Sequence, residues 1–344
     1  MNAQRRAAPR YRELLMAVLS GTPAPVCPVF AHQHHPSADQ DGERLAEATL
    51  AWQSRFDADL VKITPASTWQ IRDYGVEDSD DPGDPLGRRR ITRRVVTRPD
   101  DWRRLPRLDP HSGFTARILR AAVLVKRGSP AAPVLATVYS PASQAAKLAG
   151  DGLFAEHVRR RREDVAAGLR TIADNTTRLI AALADIGVDG VFLAAQNARS
   201  ELFPARLYAE ALLSGDLACL DAASGLSCNI LHLHGDGVHH ELFQDVGSLL
   251  LHLEASSGNA SIEALLRSGA KVASGPSPGG AISAGNRDAA LTEVHAMLRR
   301  FKGPRFVLAP GCTLPLSTPA ANIDALFDAA RAERPDRRPP PAGG

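Results

Sequence analysis

Two histidines two residues apart, His232 and His234, close a short apolar run that begins at Cys228 and ends in the polar turn Gly235-Asp236-Gly237. On a strand, alternate side chains share a face, so these two imidazoles point the same way. Imidazoles gathered on one face of a buried strand serve a metal or an anionic substrate, or they are core histidines satisfied by neighbouring backbone. The stretch alone leaves both readings open. A second stretch, Ala309-Pro310-Gly311-Cys312, tilts the balance toward chemistry, because it sets a thiol at the end of another apolar run.

Such side chains need a scaffold that brings several strand ends to one place. Strands are predicted at residues 25–31, 59–64, 133–139, 189–196, 229–234, 247–253, 271–274 and 305–309. Between them, apolar residues recur at helical spacing: Leu45, Thr49, Trp52 and Phe56 mark one helix, and Ile172, Leu179, Ile180 and Leu183 another. Eight strands separated by helices predict an α/β fold, a parallel eight-stranded (β/α)8 barrel with right-handed crossovers. The 344 residues would suit two average domains, yet α/β barrels of roughly 250 residues or more fold as one. One barrel domain is therefore expected over residues 11–331, between disordered tails at 1–10 and 332–344. The second tail, with its run Arg-Pro-Pro-Pro-Ala-Gly-Gly, cannot bury a core. Residues 72–112, rich in Asp, Pro, Gly and Arg, break the rhythm after the second strand. They read as an excursion with a hairpin near 88–97 that either covers the barrel mouth or mediates a homodimer.

Barrel sites form at the C-terminal strand ends. The side chains expected to converge there are His32, Lys62, Thr64, Tyr139, Ser140, Gln196, His232, His234, His252, Glu254 and Cys312, with Gly275 beside them. The set is polar and titratable. His239 and His240 are expected in surface or capping roles, and 275–280 as a plain loop, since it lacks the helix-start lysine of a phosphate loop. The arginine runs at 88–90 and 159–162 read as solvated faces. A formal charge of +3 is too small to argue for nucleic acid, and no stretch reaches the ~20 apolar residues of a membrane span. The four cysteines form no CxxC pair, and the N-terminus lacks the apolar run of a signal peptide. Reduced thiols in a cytoplasmic protein are the expectation.

Several of these pieces resemble the uroporphyrinogen decarboxylase superfamily, which includes tetrapyrrole decarboxylases and zinc-dependent methyltransferases acting on corrinoid or thiol acceptors. The resemblance spans roughly residues 11–331. It is carried by Phe56-Asp57-Ala58-Asp59-Leu60-Val61-Lys62-Ile63-Thr64-Pro65, by Thr137-Val138-Tyr139-Ser140-Pro141 with Lys147-Leu148-Ala149-Gly150, and by Asp189-Gly190-Val191-Phe192. Most of its specificity lies in His232-Leu233-His234-Gly235-Asp236 and in Ala309-Pro310-Gly311-Cys312 through Thr318-Pro319-Ala320-Ala321-Asn322.

The decarboxylases carry an Arg-Gln-Ala-Gly-Arg-Tyr stretch after strand 1 and an aspartate after strand 2. This chain reads His32-Gln33-His34-His35-Pro36-Ser37 and Lys62-Ile63-Thr64-Pro65 there. Arginine's bidentate fork suits a porphyrinogen's carboxylates, so its loss argues against porphyrinogen decarboxylation. The methyltransferases hold zinc with a His-x-Cys pair at strand 5 and a cysteine after strand 8. The resemblance thus implies zinc on His232, His234 and Cys312, with an imidazole replacing the middle thiolate. Three protein ligands and an open fourth position is the catalytic pattern. On this reading Glu254 or His252 orients a ligand or moves a proton, and His32, Lys62, Thr64, Tyr139 and Gln196 position a small-molecule substrate. A corrinoid on a partner protein is a candidate methyl carrier. Methyl or related group transfer is the leading expectation. The alternatives are a metal-free decarboxylase of a tetrapyrrole or similar polyacid, and a non-catalytic binder.

Overall fold

A computed structural model of the chain describes residues 11–24, 26–247, 249–301 and 303–332; the expected tail at 1–10, and all of the other beyond Ala332, lie outside them. Among the described residues the strands are β1 (Val61–Ile63), β2 (Glu77–Ser79), β3 (Arg90–Arg93), β4 (Val134–Tyr139), β5 (Gly190–Ala195), β6 (Asn229–Leu233), β7 (Leu249–His252), β8 (Lys271–Ser274) and β9 (Phe306–Leu308). Seven of them form one curled parallel sheet in the order β1-β4-β5-β6-β7-β8-β9. Every residue of β4, β5 and β6 is buried, as expected of parallel strands covered on both faces.

The closed eight-stranded barrel is corrected to this seven-stranded half-barrel. Of the expected first strand, 25–31, the described residues 26–31 make one parallel bridge, Val29 to Leu308. Phe30 N donates to Leu308 O (3.1 Å), Leu308 N to Pro28 O (2.8 Å), and Asp59 N to Val29 O (2.9 Å). The segment lies where an eighth strand would, but two prolines in seven residues, Pro25 and Pro28, lack the N–H groups that a ladder needs.

Helices fill the crossovers. Asp41 caps the helix Gly42–Phe56 by accepting from Arg44 N, and its buried side carries Leu45, Thr49 and Phe56. Ser140 accepts from Ser143 N at the start of Pro141–Ala149, with proline at the first turn, where its missing N–H costs nothing. The helical region expected at 153–185 divides into Asp151–Arg160 and Arg162–Ile186. After β6 the chain makes only a short 3-10 turn, His240–Phe243, before β7. Contrary to the surface role expected for it, His239 is buried, with Nε2 2.7 Å from Phe203 O. No helix among the described residues is long and apolar enough to cross a membrane.

The excursion is a separate antiparallel hairpin, β2 with β3, rather than one confined to 88–97. Arg89 fixes it. Its Nε donates to Asp78 (2.7 Å), and the guanidinium also pairs with Asp80 and, at 3.6 Å, with Asp39. Leu316 N donates to Pro85 O (2.8 Å), and fully buried Trp102 closes the segment by donating to His157 Nδ1 (3.0 Å). The run 88–90 is therefore not a plain solvated face: the Arg89 side chain is only 9% exposed. The 159–162 run is exposed, as expected.

Candidate functional site

His232 is the penultimate residue of β6, and His234 follows it by two, just past the strand end. Gly235 (φ 88°) and Gly237 (φ 63°) then turn the chain through conformations that favour glycine. Cys312 arrives on the loop after β9. Its neighbour Gly311 packs so tightly that a Cβ there would come within 2.7 Å of Glu254 Cγ. The result is a corner in which Cys312 Sγ is 3.3 Å from His234 Nδ1 and 3.6 Å from His232 Nε2. All three donor atoms lie within 4.8 Å of one another.

This donor set fits zinc. With bonds of ~2.3 Å to sulfur and ~2.05 Å to nitrogen, a tetrahedral ion separates sulfur from nitrogen by about 3.6 Å. Burial pushes His232 well below the usual imidazole range; burial, then Arg199, Arg88 and Lys147, bring His234 down to about 4. Both rings are neutral at pH 7, with a lone pair free for a metal. Burial also raises the Cys312 thiol, with Glu254 adding to the shift, so the metal-free thiol keeps its proton and an ion must displace it.

The corner opens into a cavity of about 310 Å³. His32, Lys62, Thr64, Tyr139 and Gln196 line it together with the three candidate ligands. Lys62 Nζ sits 4.4 Å above the Phe192 ring and donates to Thr64 Oγ1 (3.3 Å); burial draws its pKa down to about 7, opposed by nearby Cys312. His32 Nε2 lies 3.2 Å from Thr313 Oγ1, beside Cys312.

Of the other predicted residues, buried Ser140 and Gly275, packed on Ala309, do not line the cavity, and His252 and Glu254 are placed differently. His252 pairs with His232 in register across β6 and β7, with ring centroids 4.8 Å apart. It is fully buried, and its Nε2 donates to Pro310 O (2.9 Å). Glu254 packs against Gly311, and neither residue lines the cavity. Both instead support the loop that carries Cys312.

The sequence reading overlooked the cations of this cavity: Arg88 and Arg94 from the excursion, Lys147 from the helix Pro141–Ala149, and Arg199. The excursion thus lies at the mouth, where Leu86 and Ile91 also line the space. One signal was available for Lys147. It is the lone charged residue of a helix of mostly small and apolar residues that opens on Ser140-Pro141. These cations give the pocket groups that suit an anion. Arginines missing after strand 1 are matched by arginines from elsewhere.

No curated protein matches the chain. Among solved structures it is similar to a methyltransferase from Methanosarcina mazei (19% identity, TM-score 0.80, covering 93% of this chain and 98% of that one). It is also similar to a B12-independent methionine synthase from Shewanella sp. W3-18-1 in complex with selenomethionine (17% identity, TM-score 0.54, 85% and 88%). A third likeness is GH5_18 from Streptomyces cattleya in complex with GlcNAc (14% identity, TM-score 0.56, 92% and 82%). At these identities the likenesses speak for the fold. The family model for uroporphyrinogen decarboxylase (URO-D) matches residues 24–333, which takes in the half-barrel, the excursion and both segments of the His-Cys corner. The chain belongs to the uroporphyrinogen decarboxylase (URO-D) family.

Proposed function

We propose that this chain is an enzyme of methyl or related group transfer, acting on a small molecule with zinc held by His232, His234 and Cys312. The observation that carries the reading is the convergence of the three donor atoms on the lining of a cavity, with both sulfur–nitrogen separations near the tetrahedral value. Bound there, zinc would supply Lewis acidity to a substrate thiol or hydroxyl, lowering its pKa toward neutrality. The protein's own residues do the rest. His232 and His234 stay neutral because they are buried. His252, through Pro310, and Glu254, through Gly311, hold the Cys312 loop in place. Lys62, with its pKa near 7, has a proton to give or take beside the reacting group. A corrinoid on a partner protein is the proposed methyl carrier.

The cavity volume, at the low end of the range for ligand pockets, favours a substrate smaller than a tetrapyrrole. The cationic lining favours a second reading, metal-free decarboxylation of a smaller polyacid. One preparation separates the two. Protein purified without a histidine tag is assayed for zinc and melted with and without chelator. About one zinc per chain and a chelator-sensitive melting temperature are expected. A parent that holds no zinc and melts identically with chelator ends the zinc reading and promotes the second.

A further inference from the structure

We propose that Arg94 and Lys147, with Arg88 at the rim, form an oxyanion subsite that holds a carboxylate, phosphate or sulfonate group of the substrate. The subsite gives a substrate class to the function proposed above and rests on that reading only for the identity of the reacting group.

The argument begins with charge. Five cations line the cavity, Lys62, Arg88, Arg94, Lys147 and Arg199, against one carboxylate, Asp151. Asp151 is itself 3.4 Å from Asn197 Nδ2, which donates to it. Arg88 is answered by Asp84, which its Nε and terminal nitrogen reach at 2.9 and 2.7 Å, and Arg199 by Glu201 at 3.1 Å. Among the described residues, no carboxylate oxygen lies within the 4.0 Å ion-pair distance of Arg94, Lys147 or Lys62. Partly desolvated cations without a counter-charge are costly, and proteins keep them where a ligand supplies the missing charge.

Geometry adds to this. Lys147 lies in the last turn of the buried helix Pro141–Ala149, with Nζ 4.8 Å over the Tyr139 ring. Arg94 reaches the same place from the excursion, one terminal nitrogen donating to Lys147 O and Nε passing over Gly150. Two segments about fifty residues apart therefore deliver a guanidinium fork and an ammonium to one stretch of the lining. A planar fork beside a point charge matches an oxyanion. Burial, with Arg88 and then Arg94 adding to it and Asp151 opposing, brings the Lys147 ammonium down to about 8.

The experiment has two arms. In the first, chelator-treated protein is titrated calorimetrically with inorganic phosphate, so zinc plays no part. The parent should bind one phosphate, and Arg94→Gln and Lys147→Gln should each weaken binding about tenfold or more. Arg94→Lys, which keeps the charge and loses the fork, should recover part of that loss. Arg88→Gln, at the exposed rim, tests the same site if Arg94→Gln does not fold, and should give a smaller weakening. Phosphate bound equally by the parent and by every folded variant overturns the subsite. In the second arm, zinc-loaded protein is titrated with 3-mercaptopropionate and with 3-mercapto-1-propanol. The carboxylate-bearing thiol should bind more tightly to the parent, and the preference should vanish in the Arg94→Gln/Lys147→Gln double variant. A preference that persists there overturns the proposal. Loss of zinc dependence for both thiols, with the phosphate arm intact, sinks the zinc reading and leaves the subsite standing.

Discussion

The part of the cavity that contains His232, His234 and Cys312 is built differently from the part that contains Arg88, Arg94 and Lys147. The first is set by the sheet. His232 is the penultimate residue of a fully buried strand, faces His252 in register on the next, and meets a cysteine four residues beyond another buried strand end. Its side chains are short, neutral and ringed by aromatic contacts, so their donor atoms vary little in position. The second is set by a hairpin outside the sheet and by one helix end, and its side chains are long, charged and only partly buried. A metal tolerates errors of about 0.2 Å, whereas an oxyanion met by long cations tolerates far more. The difference teaches a division of labour: ladder geometry fixes where chemistry occurs, and the excursion decides what is held next to it.

The largest effect should come from a residue packed between the His-Cys corner and Lys62, a further cation of the cavity. Phe192 is 2% exposed, carries Lys62 over its ring and touches the rings of His32, His232 and His252. Phe192→Ala should lower stability by about 3–5 kcal/mol in denaturant titration and reduce both zinc and phosphate binding. If only zinc binding is affected, the oxyanion part is independent of the packing beneath the His-Cys corner. Next in size is Cys312. At zinc a hundredfold above its dissociation constant, the parent should gain ~2.7 kcal/mol, and Cys312→Ala should gain none. Cys312→Ser should also lose affinity, while His234→Cys should keep zinc. None of the three should alter phosphate binding to chelated protein.

Smaller changes should fall on one part alone. Arg89→Gln removes the cation that holds Asp39, Asp78 and Asp80 together and should cost about 2 kcal/mol. It should weaken phosphate through Arg88 and Arg94 and leave zinc content unchanged. His252→Leu strips Pro310 O of its donor and should cost about 1–2 kcal/mol. Zinc affinity measured by competition should fall modestly, since the loop of Cys312 is less constrained. The smallest effect is a control from the opposite end of the sheet. Asp189, which precedes β5, pairs with Lys126 and Arg12 and accepts from Val134 N. Those partners hold its carboxyl below the ordinary value in spite of burial. Its stabilisation is present above the unfolded carboxyl pKa and is lost as pH falls through the folded one. Melting between pH 6 and 3 should therefore be less pH-dependent in Asp189→Asn, with zinc stoichiometry at pH 7 unaffected.

Much of the scaffold was legible in the chain, because it depends on short-range rules. Short apolar runs and period-3.6 patterns marked the parallel strands and their helices, and the two-residue spacing of His232 and His234 put both on one side. The first strand was misjudged for a local reason that was also on view, the prolines at 25 and 28. What the pattern could not give is which histidine faces what. His232 and His252 have the same type and register, yet one turns a ring nitrogen to sulfur and the other to a carbonyl 58 residues away.

The cations were missed for a related reason. Arg88 and Arg94 sit in a polar stretch whose composition reads as solvent-facing, and ties from Arg89, Pro85, Arg94 and Trp102 to distant segments fold it over the mouth. The sequence by itself determined the alternation of strands and helices, the family, and the sharing of one strand face by His232 and His234, since each is carried by residues close along the chain. The tertiary structure decided the half-barrel's open ladder, the meeting of Cys312 with both histidines, and the charge of the cavity. Those depend on hydrogen bonds and ion pairs between residues tens to hundreds of positions apart, whose partners no local pattern encodes.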